Sequence, residues 1–156
     1  MILQLKTLFE LEGSEVEINE SVPIDELEKL QPFMSFAKAV KISGRAKNHV
    51  GMVTLDFTVD AVLELECDRC LTAFERGYSF DFHHVLTREL ANESDEDSDE
   101  FDEYVVCPDN TLDLSELALV DLRLSLPTKI LCKEDCLGLC PKCGANLNET
   151  SCGCED

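Results

Sequence analysis

From Val53 to Cys67 every odd position is apolar: Val53, Leu55, Phe57, Val59, Ala61, Leu63, Leu65 and Cys67. The even positions between them are Thr54, Asp56, Thr58, Asp60, Val62, Glu64 and Glu66, with Val62 the one apolar exception. Period two over this length predicts a half-buried antiparallel strand. As one straight strand it would span about 50 Å. That is long for a small domain, so a bend or break is expected near Asp60. A second alternating run follows Cys70, with Phe74, Tyr78, Phe80, Phe82 and Leu86 on one face. The two runs are joined by Glu66-Cys67-Asp68-Arg69-Cys70-Leu71, which predicts a hairpin with a Cys-x-x-Cys knuckle at its tip.

Weaker patterns flank this hairpin. Residues 2–11 read as an opening strand, and Ser21-Val22-Pro23 leads into a short helix over Ile24–Leu30. Between positions 41 and 47, Ile42, Gly44 and Ala46 face one side, while Lys41, Ser43, Arg45 and Lys47 face the other. Asn48-His49-Val50-Gly51 reads as a turn. Further on, Asp113 and Glu116 form an Asp-x-x-Glu capping box, with Leu117, Val120 and Leu124 at helical spacing and Pro127 as the stop. The pattern predicts an α+β fold: an antiparallel sheet or partial barrel, one or two packed helices, and a small C-terminal zinc-binding module. The expected division is a mainly β core at 1–92, an acidic loop at 93–103, a core strand and helix at 104–130, and a cysteine-rich module at 131–156.

Charge narrows the function. The net charge of the 156-residue chain is −20. Residues 93–103 carry eight acids and no base. A like-charge block of that kind buries too little apolar surface to offset chain entropy, and reads as a disordered loop. Bulk electrostatics exclude general nucleic-acid binding, which needs lysine and arginine to displace counterions. One stretch differs: from Lys29 to Leu55 there are five basic residues and no acid. Lys41, Arg45 and Lys47 share a strand face there and are the candidate contact for RNA or a partner. No apolar run approaches a membrane span of about 20 residues, and the N-terminal segment lacks a signal-peptide core. A cytoplasmic protein with no membrane and no small-molecule substrate is therefore expected.

That compartment decides how nine cysteines are read. In a reducing environment they point to metal rather than disulfides. Six of them fall between Cys132 and Cys154. In Cys140-Pro141-Lys142-Cys143-Gly144, two intervening residues let both sulfurs turn toward one ion about 2.3 Å away, and Gly144 relieves crowding at the turn. With Cys152 and Cys154 this knuckle makes the first candidate zinc site. Cys67, Cys70, Cys132 and Cys136 are the second, which would pin the tail to the hairpin. A crossed partition, with Cys132 and Cys136 serving the tail zinc, is the alternative, and spacing does not fix the choice. Cys107 stands in an apolar context and reads as a buried residue. Histidines are confined to positions 49, 83 and 84, outside the tail, so the zinc reads as structural and no catalytic residue is assigned. Two rival readings are a zinc-ribbon adaptor in transcription and a thiol-redox protein using Cys67 and Cys70. The redox reading is disfavoured because such motifs sit at helix starts, and strands flank this one.

The order of features resembles the bacterial YceD family. The hairpin Leu65-Glu66-Cys67-Asp68-Arg69-Cys70, the acidic loop and the capped helix with Leu126-Pro127 all match. So does the tail Asp135-Cys136-Leu137-Gly138-Leu139-Cys140-Pro141-Lys142-Cys143-Gly144-Ala145-Asn146-Leu147-Asn148, which carries most of the specificity. The resemblance implies a non-catalytic factor in accumulation, processing or stability of the large-subunit ribosomal RNA. Its expected partners are that RNA or a large-subunit ribosomal protein, whose gene often neighbours those of the family.

Overall fold

The β3–β4 turn shows how local chemistry sets the register. Strand β3 (Val40–His49) and strand β4 (Met52–Glu66) are joined by two residues only, Val50 and Gly51. Both have positive φ, 52° and 79°, the combination that matches the twist of a two-residue hairpin. Asn48 steadies the turn: its Oδ1 accepts from the Gly51 N–H (3.1 Å) and its Nδ2 donates to the Leu8 carbonyl (2.7 Å).

A computed structural model describes residues 1–89 and 104–154; the acidic block at 93–103 lies outside the described residues. The order of elements is β1 (Ile2–Gln4), α1 (Lys6–Glu10), β2 (Glu15–Val22), α2 (Ile24–Leu30), β3, β4, β5 (Ala73–Thr87), β6 (Tyr104–Val106), β7 (Thr111–Asp113) and α3 (Leu114–Ser125). Five strands form one sheet in the order β2-β3-β4-β5-β6, antiparallel except for β5 with β6. A two-stranded sheet pairs β1 with β7. The protein is thus α+β with a mainly antiparallel sheet.

The break expected near Asp60 is absent. Strand β4 keeps one register against β5 from Val53↔Leu86 to Glu66↔Ala73, and against β3 from Lys41↔Asp60 to His49↔Met52. Where β3 ends, residues 35–37 take over, with Ala37 N–H donating to the Val62 carbonyl and Glu64 N–H to that of Ser35. Continuous pairing on both sides holds the long strand together.

The core lies on one face of the sheet. Ile42, Ala46, Leu55, Val59 and Leu63 are fully buried there against Leu8 of α1, Leu27 of α2 and Leu119 and Leu122 of α3. Gly44 faces this side and permits a close approach of β3 and β4: a Cβ on it would stand 2.1 Å from the Asp56 carbonyl oxygen.

Two further expectations need correction. Residues 2–11 form not one strand but β1 followed by α1. The buried leucines 3, 5 and 8 suit an extended start that becomes helical, and the alternation at the start of the chain concealed the change. Helix α3 begins as expected, with Asp113 Oδ1 accepting from Glu116 N–H (3.2 Å). Its buried stripe, however, is Leu114, Ser115, Ala118, Leu119 and Leu122, while Leu124 is 74 % exposed. Apolar residues surround this helix, so its spacing fits two stripes; packing selects the one carrying the small residues Ser115 and Ala118.

Candidate metal centres

Eight of the nine cysteines converge into two clusters. Cys67, Cys70, Cys132 and Cys136 form one, Cys140, Cys143, Cys152 and Cys154 the other, and within each the four sulfurs lie within 4.8 Å of one another. Geometry therefore separates the pairs whose partition the spacing left open. Cys107 is in neither cluster and is buried, and burial pushes its thiol up.

The inner cluster joins distant parts of the chain. Cys67 and Cys70 come from the tip between β4 and β5, and Cys132 and Cys136 from the segment after α3. Cys67 and Cys136 sulfurs are 3.7 Å apart, and those of Cys70 and Cys132 are 3.6 Å apart. Four sulfurs held about 2.3 Å from one ion in a tetrahedron stand about 3.8 Å from each other. No disulfide joins these cysteines, and the spacing is one that could hold a metal ion.

The tail is sewn to the hairpin around this cluster. Asp68 N–H donates to the Ile130 carbonyl (2.8 Å), and Ile130 N–H donates back to Asp68 Oδ2 (2.6 Å). Arg69 Nη1 donates to the Cys136 carbonyl (3.0 Å) and Arg76 Nη2 to that of Leu131 (2.7 Å). Phe74, Leu131 and Leu139 pack against the buried sulfurs.

Both clusters are built on the same backbone knuckle. In the outer one, Gly144 N–H donates to the Cys140 carbonyl (2.8 Å) and Cys140 N–H to that of Ala145 (2.8 Å). In the inner one, Leu71 N–H donates to the Cys67 carbonyl (2.9 Å) and Cys67 N–H to that of Thr72 (3.0 Å). Leu71 thus occupies the place of Gly144, and both have positive φ, 58° and 73°. A left-handed leucine costs about 1 kcal/mol or more. Both knuckles were legible as Cys-x-x-Cys in the sequence; the left-handed turn at Leu71 was not, because leucine carries no signal for it.

Knuckle amides aim at the sulfurs. Backbone N–H groups of Cys143 and Lys142, with the Cys152 thiol, bring the Cys140 thiol down from 9.0 to about 6. At Cys67 burial pushes up, but N–H groups of Cys132, Cys70 and Arg69 outweigh it and bring that thiol down to about 6. The Thr72 hydroxyl, 3.2 Å from the Cys70 sulfur, lowers Cys70 as well. Cys132 is opposite: burial and the neighbouring Cys70, Cys67 and Cys136 thiols push it up to about 12. Each cluster is set up for thiolate but cannot ionise throughout without a cation at its centre. The donors present fit a metal ion held by four thiolates.

Sequence reasoning missed the asparagines that link the clusters. Asn148 Nδ2 donates to the Cys136 sulfur (3.4 Å) and to Asn146 Oδ1 (2.9 Å), while its own Oδ1 accepts from Leu137 N–H (2.9 Å). Leu147 N–H donates to the Gly138 carbonyl (2.9 Å). The Asn-x-Asn spacing beside a knuckle was the available signal. Hydrogen bonds to a ligand sulfur orient it and tune its basicity.

The basic residues on β3 share the outer face of the sheet, yet acids adjoin them. Arg45 is paired across the strands with Glu17 and Asp56, Lys41 with Asp60 and Lys47 with Glu15. Arg45 lies 3.6 Å from Glu15 Oε1. His83 on the same face pairs with Asp56, whereas His84 on the core face meets Asp121 of α3 (2.7 Å). No helix among the described residues is long and apolar enough to cross a membrane.

Comparison with known proteins follows the same residues. The family model described as "Large ribosomal RNA subunit accumulation protein YceD" matches residues 55–156. A Bacillus subtilis protein described as "Uncharacterized protein YlbN" is 27% identical over 128 residues, covering 82% of this chain and 72% of its own. The maize "Large ribosomal RNA subunit accumulation protein YCED homolog 1, chloroplastic" is 28% identical over 131 residues, covering 67% of this chain and 45% of its own. An uncharacterized protein of Mycobacterium tuberculosis is 38% identical over 93 residues, covering 58% of this chain and 42% of its own. This chain therefore spans under half the length of the maize and mycobacterial relatives. No solved structure matches. The matched segment runs from within β4 through both cysteine clusters to the last residue, and the chain belongs to the YceD family.

Proposed function

We propose that this protein supports accumulation of large-subunit ribosomal RNA without catalysing a reaction, that each cysteine cluster holds one zinc ion, and that the protein acts by binding a basic large-subunit ribosomal protein in the cytoplasm. The observation that carries the reading is the donor set. Each cluster is four thiols around one centre, which leaves no ligand position for water or substrate and suits a structural ion. The family description supplies the ribosomal context. A net charge of −20, and the acids that flank Lys41, Arg45 and Lys47, support a basic protein partner over RNA at the sheet.

The thiol-redox reading has one observation in its favour, the Cys67 thiol at about 6. Against it, Cys67 is fully buried and lies in a four-thiol cluster between strands. The test is depletion of the protein from its own cells, with the ratio of large- to small-subunit ribosomal RNA as the readout. A fall in that ratio is expected, with recovery on re-expression of the wild-type chain. An unchanged ratio would remove the proposal.

A further inference from the structure

Among the described residues, one side of the long hairpin is paired along most of its length and the other is paired only at one end. Strand β4 is paired from Met52 to Glu64 on its other side, by β3 and then by residues 35–37. Among the described residues, β5 is paired with β6 at Val85, Leu86 and Thr87 alone. Along residues 73–84 no described backbone group pairs with the far side of β5. That stretch has no proline and no bulge, because its register with β4 never slips. An edge of this length is a template for another strand unless side chains block it.

Side chains along the edge select the occupant. On the core face Tyr78, Phe80 and Phe82 form a row, with ring centroids 5.8 Å and 6.3 Å apart, and all three are only partly buried. On the outer face the exposed positions include Glu75, Ser79 and Asp81, and the adjoining strand adds Asp56, Asp60 and Glu64. His83 is the basic group in this part of the face, and it is paired with Asp56. Arg76 faces the other way, stacked on Phe74 and bonded to the tail. The edge is therefore aromatic on one face and acidic on the other.

We propose that the open edge of β5 captures an extended, basic segment of a partner protein as a sixth strand, with apolar residues at every second position against the aromatic row and lysine or arginine between them against Glu75 and Asp81. Main-chain pairing supplies affinity in strand addition, and alternating side chains supply selectivity. A second copy of this chain fits poorly. An antiparallel pair centred on Tyr78 would set Glu75 directly against Asp81, and like charges opposed across strands destabilise. RNA meets the same acids. The inference rests on the proposed basic protein partner and gives it a docking surface.

The probe is a labelled twelve-residue peptide of alternating lysine and valine, added to the zinc-supplied full chain at physiological ionic strength. Binding is read by fluorescence anisotropy and the site by amide hydrogen exchange. Two further peptides carry N-methyl groups on alternate residues, one series for each edge of the added strand. Expected results are protection confined to the open amides of residues 73–84 and binding by only one methylated peptide. The variant Glu75→Lys/Asp81→Lys, altered only at exposed positions, should weaken binding by about tenfold or more. Equal binding by both methylated peptides would reduce the contact to charge alone and overturn the proposal. So would protection at another edge or dimerisation of the free chain. None of these outcomes affects the ribosomal RNA ratio, so the surface can fail while the function stands.

Discussion

Replacing Cys136 with serine removes one ligand of the inner cluster, and the structure sets the expected cost. That cluster draws its thiols from the hairpin tip and from the segment after α3, so a metal held there would bind only when sheet and tail are together. A ligand of the folded state alone stabilises by about 4 kcal/mol at a free concentration a thousand times its Kd. For 156 residues the melting entropy is about 0.33 kcal/mol per degree, at roughly 2.1 cal/mol/K per residue. Cys136→Ser should therefore lower the melting temperature by about 12 °C. Cys143→Ser is the control. Its cluster draws all four ligands from the tail, and the bonds of Asp68, Arg69 and Arg76 to the tail survive. Its main transition should move by less than about 3 °C. Scanning calorimetry, with zinc per chain measured on each sample, makes the comparison. Two outcomes would refute the reasoning: equal shifts for the two variants, or loss of one zinc from Cys136→Ser with no shift.

Three further changes probe separate parts of the structure. Gly44→Ala puts a methyl against the Asp56 carbonyl and the Phe57 backbone, so it should cost about 1–3 kcal/mol by overpacking, read as a lower urea midpoint; an unchanged midpoint would show that β3 and β4 can separate freely there. Asn148→Ala removes the bond to the Cys136 sulfur and strands the Leu137 N–H, and should weaken zinc at the inner site by about tenfold to a hundredfold; competition with a chelating dye would detect it, and equal weakening at both sites would contradict the assignment. In metal-free protein the thiols of Cys67 and Cys140 titrate near 6 in the folded state, against 9.0 ordinarily. Their depressed values mean that stability grows as pH rises from about 6 to about 9 and is lost as pH falls through about 6. Cys132, pushed up from 9.0 to about 12, stays neutral in the folded state across that window; it ionises in the unfolded state only as pH approaches 9, where it begins to offset the gain. Urea unfolding of chelator-treated protein at several pH values would show the slope; a flat profile would contradict the knuckle hydrogen bonds.

Much of the protein is legible in its sequence because the signals are local. Period two marks β4 and β5 since one side chain in two must face the core. The Asp113 cap and the Cys140 knuckle are visible because each closes within a few residues. What the sequence left open depends on contacts between distant segments. Cys132 and Cys136 join Cys67 and Cys70 only because the chain after α3 returns to the hairpin tip, where Asp68, Arg69 and Arg76 hold it. Spacing carries no information about that return. The basic face of β3 is clear from its alternation, but the acids beside it arrive by strand pairing, Glu17 from one neighbour and Asp56 and Asp60 from the other. The buried stripe of α3 was decided by packing against the sheet, because its apolar residues allow two. The unpaired edge of β5 is likewise a tertiary fact: among the described residues β6 pairs with three of its positions, and no residue within β5 records that.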